Sequence, residues 1–283
     1  MKDNTHNNEL SLKESVRRLA LLVEYNGSRY HGFQAQDNAI SVQETIEASI
    51  FSLTKQTTRI KGAGRTDTGV HAKGQVISFD TTKHYAPEVF ARALNQHLPK
   101  DISIKEVIET YSGFDPRRDA TSRSYQYQIL NTSTRSPFLE GYSYHIKTPL
   151  DAEHMNLAAR SLEGFRDFRS FSGPLSDKMI HTTRNMFECV VTKIDETVFL
   201  NLRANSFLPQ QVRRIAGALV QVGSHKITLA EFRELTESKV LGASNWVLPG
   251  KALCLLKVEY PVSLFNDHSM IVWEQAIPEV IAI

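Results

Sequence analysis

From Lys61 to Asp80 the chain reads KGAGRTDTGVHAKGQVISFD. A short basic run, a glycine-rich turn and an alternating apolar run follow without a break, the pattern of two sheet strands joined by a wide turn. Gly62, Gly64 and Gly69 bracket Arg65, Thr66 and Asp67. Glycines on both sides let the backbone take positive φ and let another molecule come close. Between Lys55 and Phe79 five cations, Lys55, Arg59, Lys61, Arg65 and Lys73, surround one acid, Asp67. Neighbouring positive charge favours a carboxylate's charged form. Such a group suits the role of nucleophile toward a polyanionic substrate.

On its own, the turn has blander readings. Asp, Thr and Gly are ordinary turn formers, so a plain surface turn fits equally well. The spacing of Gly64 and Gly69 resembles a phosphate loop, but Val70 and His71 stand where Lys and Ser/Thr belong. The letters DTG suggest an aspartic protease, whose chemistry needs two carboxylates sharing a proton. The chain has no second DTG. Asp67 and His71 would make a meagre metal site, with no third ligand in view.

The order of elements on either side is more informative. Arg17 to Tyr25 reads as a strand ended by Asn26-Gly27. Ser41 and Glu44 form a capping box opening a helix that carries Val42, Ile46, Ile50 and Leu53. Arg59 to Ala63 and Gln75 to Asp80 are the strands beside the turn, the second alternating as if buried on one side. Pro87 opens a second helix, and Ile102 to Ile108 closes the half as a strand. The order then repeats. Ser124 to Leu130 is a strand, and Asp151 to Glu163 a helix capped by Asp151 and stopped by Gly164. Cys189 to Ile194 and Val198 to Arg203 form a hairpin. A helix runs from Pro209 through Val222, a short one spans Leu229 to Glu237, and Ala252 to Tyr260 is the last strand.

The expected class is therefore α+β: two ferredoxin-like (βαββαβ) halves whose antiparallel sheets join around a central cleft. The expected divisions are a loose tail over 1–16, halves over 17–112 and 113–262, and an unassigned extension over 263–283. With 41% hydrophobic and 23% charged residues the chain reads as globular. No apolar run is long enough for a membrane span, and the first sixteen residues lack the apolar core of a signal peptide. Cys189 and Cys254 sit in apolar runs, as buried reduced thiols of a cytoplasmic protein do. Net charge is only +2, but it is segregated. Thr197 to Ala230 holds Arg203, Arg213, Arg214 and Lys226 without an acid, while Val258 onward holds only acids. A basic face for a polyanion is the expectation.

GRTDTGVHA resembles the catalytic-loop signature of the TruA family of tRNA pseudouridine synthases, GRTDxGVHA. The likeness continues in order through VEYNGSRYHGFQAQ, SVQETIEASI, NQHLPKDISI, FDPRRDATSRSYQY and NSFLPQQVRRIAGALVQVG, roughly Leu19 to Pro261. The resemblance implies isomerisation of uridine to pseudouridine at tRNA positions 38 to 40, by a homodimer, with no cofactor and no metal. It implies that Asp67 is the catalytic acid, that Tyr125 stacks on the extruded base, and that Arg213 pairs with Asp67. It also implies that Arg65 takes the flipped base's place. Arg123 and Arg214, in the same segments, are further candidates for RNA contact. Breaking a C–N bond, turning the base and rejoining it through C5 adds no group or electron, so a nucleophile, a face for the base and a route for the C5 proton suffice. Asp115, Pro209-Gln210-Gln211 and PGKALCL depart from the family pattern, which bears on recognition of RNA. A non-catalytic RNA-binding protein on the same scaffold is the alternative.

Overall fold

The structure is a computed structural model, and it describes residues 15–175 and 181–265. The expected 1–16 tail and 263–283 extension therefore lie largely outside the described residues. In chain order the elements are β1 (Arg17–Tyr25), α1 (Val42–Thr54), β2 (Lys61–Gly62), β3 (His71–Thr81), α2 (Pro87–His97), β4 (Ile102–Thr110) and β5 (Ser122–Leu130). They continue with β6 (Tyr144–His145), α3 (Ala152–Arg160), β7 (Gly164–Asp167), β8 (Thr183–Ile194) and β9 (Thr197–Ala204). The last are α4 (Gln211–Gly223), α5 (Leu229–Glu237) and β10 (Leu253–Glu259). This is a mixed α+β chain around one large, mostly antiparallel sheet.

Sheet order is β4-β1-β3-β10-β5-β9-β8-β7, with β2 laid on β3 and β6 on β5. The two sequence halves meet where β3 and β10 run parallel, through Cys254↔His71 and Leu255↔Ala72. That seam begins at the residue after the glycine-rich turn, so sheet closure itself carries the turn to the middle of the molecule. Helices α1 and α2 pack together, α2 lies against β4, and α3 bridges β8 and α4. Leu19, Leu21 and Ile77 with Ile46 and Ile50 of α1 are among the fully buried side chains of the first half, and Ile215, Leu219 and Leu202 of the second.

N-terminal capping signals behave as their chemistry requires. Ser41 and Glu44 make the reciprocal capping box, and Thr228 with Glu231 makes another at α5. Asp151 accepts from the His154 N–H, but the helix it caps ends at Arg160 with Ser161 as its C-cap, short of the expected Glu163, and Gly164, with its positive φ, opens β7 instead of stopping the helix. Both cysteines are buried, and neither forms a disulfide.

Three further expectations are corrected. The strand expected over Arg59 to Ala63 is only two residues long, because α1 takes the groups it would use. Glu47 Oε1 accepts from the Ile60 N–H at 3.0 Å, and the Ile60 carbonyl accepts from Gln43. The strand expected over Gln75 to Asp80 starts earlier, at His71, and is buried on both faces through its middle. It lies between β1 and β10 in the centre of the sheet, and its buried polar residue Gln75 donates to the Gly64 carbonyl at 2.9 Å. The helix expected from Pro209 begins at Gln211, after Gln210 takes a left-handed conformation with φ 58°.

His71 locks the seam. Its Nδ1 accepts from the Gly27 N–H at 3.1 Å, which leaves Nε2 as the donor to the carbonyls of Gly141 (3.0 Å) and Lys251 (2.9 Å). Burial pulls its affinity for a proton below the ordinary value, partly offset by those two carbonyls. A second proton would set one N–H against another. A group that folds neutral and depressed contributes stability at high pH and loses it as pH falls below the unfolded value of about 6.5. The denaturation midpoint is expected to fall on acidification through that range. His71→Asn, whose side-chain oxygen accepts from Gly27 without titrating, should flatten this dependence in urea titrations run at several pH values.

Candidate active site

The glycine-rich turn is held in place from several directions. Val70 N–H closes it on the Asp67 carbonyl at 3.1 Å, and Gly69 supplies a φ of 76°, a conformation side chains resist. The Tyr25 hydroxyl and Thr66 Oγ1 are 2.8 Å apart beneath it. The Phe33 N–H donates to the Thr66 carbonyl at 3.0 Å. A Cβ on Gly27 would overlap the Val70 carbonyl, so only glycine lets that segment pass. Gly27→Ala is expected to destabilise the fold by about 2 kcal/mol, as overpacking does. It should also cut turnover at least tenfold, because displacing a reacting group by even an ångström is costly. Urea midpoints and single-turnover rates read the two effects separately.

So braced, Asp67 projects into a cavity of about 420 Å³. Arg213, in the first turn of α4, donates from Nη1 to Asp67 Oδ2 at 2.9 Å, and from Nε to the Leu248 carbonyl at 2.7 Å. The guanidinium thus bridges the acid to the loop before β10. Its side chain is 17% exposed against 37% for Asp67, so the pair is partly dry with one edge open. Tyr125, on β5, is 9% exposed. Its hydroxyl makes no hydrogen bond among the described residues and stands 3.7 Å from where a Cβ on Gly64 would be. Phe207 meets the Tyr125 ring edge-on, centroids 5.1 Å apart. Burial pushes the Tyr125 phenol well above its ordinary value. Arg123 partly offsets this, and the charge of Asp67 adds to it. The phenol is therefore a neutral hydroxyl facing an open space beside a carboxylate.

Of the candidates from sequence, the structure brings Asp67, Arg213, Tyr125, Arg65 and Arg123 to one cavity. Arg65 is exposed at its edge. Arg123 is 6% exposed and spends its guanidinium on the carbonyls of Ala120, Asn205, Ala63 and Arg117. It braces the wall, with both terminal nitrogens committed to backbone carbonyls. Arg214 does not reach the cavity. It turns to Gln210 and to the Ser244 carbonyl at 2.5 Å.

The cationic surroundings of Asp67 also have a different source from the one expected. Arg59 pairs with Glu47 and Lys61 with Asp115, so of the five neighbours counted in sequence only Arg65 lines the cavity. The cavity's other arginines come from distant segments: Arg117 before β5, Arg123 on β5, Arg184 on β8 and Arg213 on α4. The expected basic face over Thr197 to Ala230 is likewise not one surface. Arg203 pairs with Glu188 and Glu259 and lies over Phe187, while Arg213 is inside the cavity. Sequence reasoning missed Arg117, Arg184 and Phe207; Arg117 lay in a quoted motif, but nothing there separates it from Arg118. His71, weighed earlier as a metal ligand, has both nitrogens committed to backbone, and no cluster of three metal-ligating side chains occurs among the described residues.

A carboxylate paired to a guanidinium, an aromatic face beside it and cationic walls together fit a flat, electron-poor ring attached to a polyanion. The family model described as tRNA pseudouridine synthase matches residues 21–115 and 158–261. The chain belongs to the tRNA pseudouridine synthase family. It is 38% identical over 246 residues to tRNA pseudouridine synthase A of Geotalea daltonii, covering 87% of this chain and 100% of that one. The enzyme of the same name from Bacteroides fragilis is 36% identical over 253 residues, covering 89% and 100%. Among solved structures, a Cbf5-Nop10-Gar1 complex aligns with a TM-score of 0.31 at 10% identity over 71% of this chain and 54% of that one, too low to carry an argument. Of the cavity residues named above, Gly64, Arg65 and Asp67 lie in the first matched stretch, Arg184, Phe207 and Arg213 lie in the second, and Arg117, Arg123 and Tyr125 lie between them. The residues of the Asp67–Arg213 pair thus come from the two separately matched stretches and meet only in the folded chain.

Proposed function

We propose that this chain isomerises uridine to pseudouridine in the anticodon stem-loop of tRNA, at positions 38 to 40. The observation that carries the proposal is the Asp67–Arg213 ion pair inside an arginine-walled cavity, in a member of this enzyme family. The extruded uridine enters with its base against Tyr125. Asp67 acts on the ribose–base unit as the C–N bond breaks, and Arg213 holds its free oxygen in one rotamer. The base turns within the cavity and rejoins the ribose through C5. Tyr125, kept protonated by burial, takes the C5 proton as its own hydroxyl proton passes to water, and the freed N1 takes up a proton in turn, so the phenol never holds a charge. Arg65, exposed at the edge, fills the gap left in the stack; unstacking costs a few kcal/mol, part of which a planar cation recovers.

Two further readings go with this. Each half is taken as a ferredoxin-like unit, 17–112 and 113–262, a view supported by the orders β4-β1-β3-β2 and β10-β5-β9-β8 within the sheet. The working form is taken as a cytoplasmic homodimer bridged by one RNA, on family likeness; no helix of the described residues is long and apolar enough to cross a membrane. Binding through phosphates should weaken steeply as salt rises.

The test is incubation with anticodon stem-loop RNAs bearing uridine at one position at a time, followed by mapping. Pseudouridine at 38, 39 or 40 is the expected product; RNA retained with every uridine unchanged would favour a binding protein without catalysis. Tyr125→Phe keeps the ring and loses the relay. Its single-turnover rate is expected to fall about 100-fold, with RNA affinity unchanged in a filter-binding titration.

A further inference from the structure

The cavity carries more positive charge than the isomerisation uses. Arg213 is spent on Asp67 and Leu248, Arg123 on four backbone carbonyls, and Arg65 stands at the edge. Arg117 and Arg184 remain, and Asp67 is the one carboxylate among the residues lining the cavity. Arg117 has an exposed side chain without a hydrogen bond or ion pair among the described residues, yet its backbone is pinned. Its N–H donates to Asp115 Oδ1 at 3.0 Å, and its carbonyl accepts from Arg123. Arg184 is half-buried. Its Nη1 donates to the carbonyls of His181 and Thr183 at 3.0 and 2.7 Å, while its Nε is buried without a partner among the described residues. Burial, with the charge of Arg117 adding to it, holds the Arg184 guanidinium below its ordinary proton affinity. Two cations near one another in a partly dry wall are unfavourable alone, and an anion between them removes the cost.

We propose that Arg117 and Arg184 clamp one phosphodiester group of the RNA backbone, at a linkage adjoining the extruded uridine. The proposal rests on reading the cavity as the uridine site. A nucleotide that puts its base in the cavity necessarily carries phosphates to the wall, and these are its only full charges. Two guanidiniums facing two non-bridging oxygens give charge-assisted, directional hydrogen bonds. Held there, the ribose is fixed relative to Asp67, so the clamp converts backbone binding into placement of the breaking bond. Both arginines are positioning residues and take no part in bond making.

The test pairs RNA and protein changes. Anticodon stem-loops carry a single uncharged methylphosphonate on the 5′ or the 3′ side of the target uridine, and Kd is measured for wild type, Arg117→Gln and Arg184→Gln. At one of the two linkages the neutral group is expected to weaken wild-type binding about tenfold or more, as loss of a charged hydrogen bond does. The same RNA should bind each variant no worse than unmodified RNA does, and Arg184→Lys should recover part of the loss. Variants with wild-type melting temperatures establish that folding is intact; Arg117, being exposed, carries the test if Arg184→Gln does not fold. Equal weakening of wild type and variants at both linkages, or no weakening of wild type at either, would overturn the clamp. Affinity is read without turnover, so a wild-type protein that shows this coupling but makes no pseudouridine would refute the proposed activity and leave the clamp standing.

Discussion

Asp67→Asn is expected to lower pseudouridine formation by about 10⁴-fold or more, the scale set by removing an acid from a catalytic unit, while RNA affinity stays within about threefold. The substitution keeps the shape and one acceptor oxygen, so Arg213 and the turn retain a partner. What disappears is the negative charge that bonds to or stabilises the electron-poor sugar. Because the turn is held by Tyr25, Phe33, Gly27 and His71 through contacts that do not involve the Asp67 side chain, the fold should not register the change. A parallel loss of thermal stability would mean that the carboxylate is a structural partner of Arg213 and little more.

Arg213→Ala is expected to cost about 10³-fold in turnover, close to the loss of a preorganised charged donor in a water-poor site. It removes the hydrogen bond to Asp67 and the anchor to the Leu248 carbonyl together. Asp67 is then free to rotate toward solvent, and the loop before β10 loses its tie to α4. Arg213→Lys restores charge but has one nitrogen for two targets about a guanidinium's width apart, so it should recover only part of the rate. The double variant Asp67→Asn/Arg213→Ala should be barely slower than Asp67→Asn alone, since the two act as one unit. Additive losses in that comparison would show that Arg213 serves the RNA independently of the acid.

Much of the site was legible because its chemistry is concentrated in short segments. The glycine-rich turn needs its glycines locally, and Asp67 within it is the one acid of its neighbourhood. The Ser41/Glu44 box and the Asp151 cap were legible for the same reason: each is satisfied within a few residues. The expectations that failed depended on distant parts of the chain. Of the cations near Asp67 in sequence, Arg59 and Lys61 pair with Glu47 and Asp115 and only Arg65 lines the cavity, whose other arginines arrive from β5, β8, α4 and the segment before β5. Arg213 and Arg214 are adjacent, yet the roughly 100° between consecutive helix positions sends the first to the acid and the second to the Ser244 carbonyl. The shortness of β2 reflects side chains of α1 competing for its backbone, which no period in the strand's own residues reveals. β7 escaped notice because its four residues, GFRD, carry no alternation to detect.

The most direct measurement uses anticodon stem-loop RNA with tritium on C5 of its uridines. Isomerisation exchanges the C5–H bond for a C5–C1′ bond, so each pseudouridine releases one tritium to water. Wild type is expected to release tritium in the same number as the pseudouridines mapped at 38 to 40, and Asp67→Asn to bind the RNA and release none. Tritium retained in RNA that wild type binds tightly, or released by Asp67→Asn at the wild-type rate, would contradict the account.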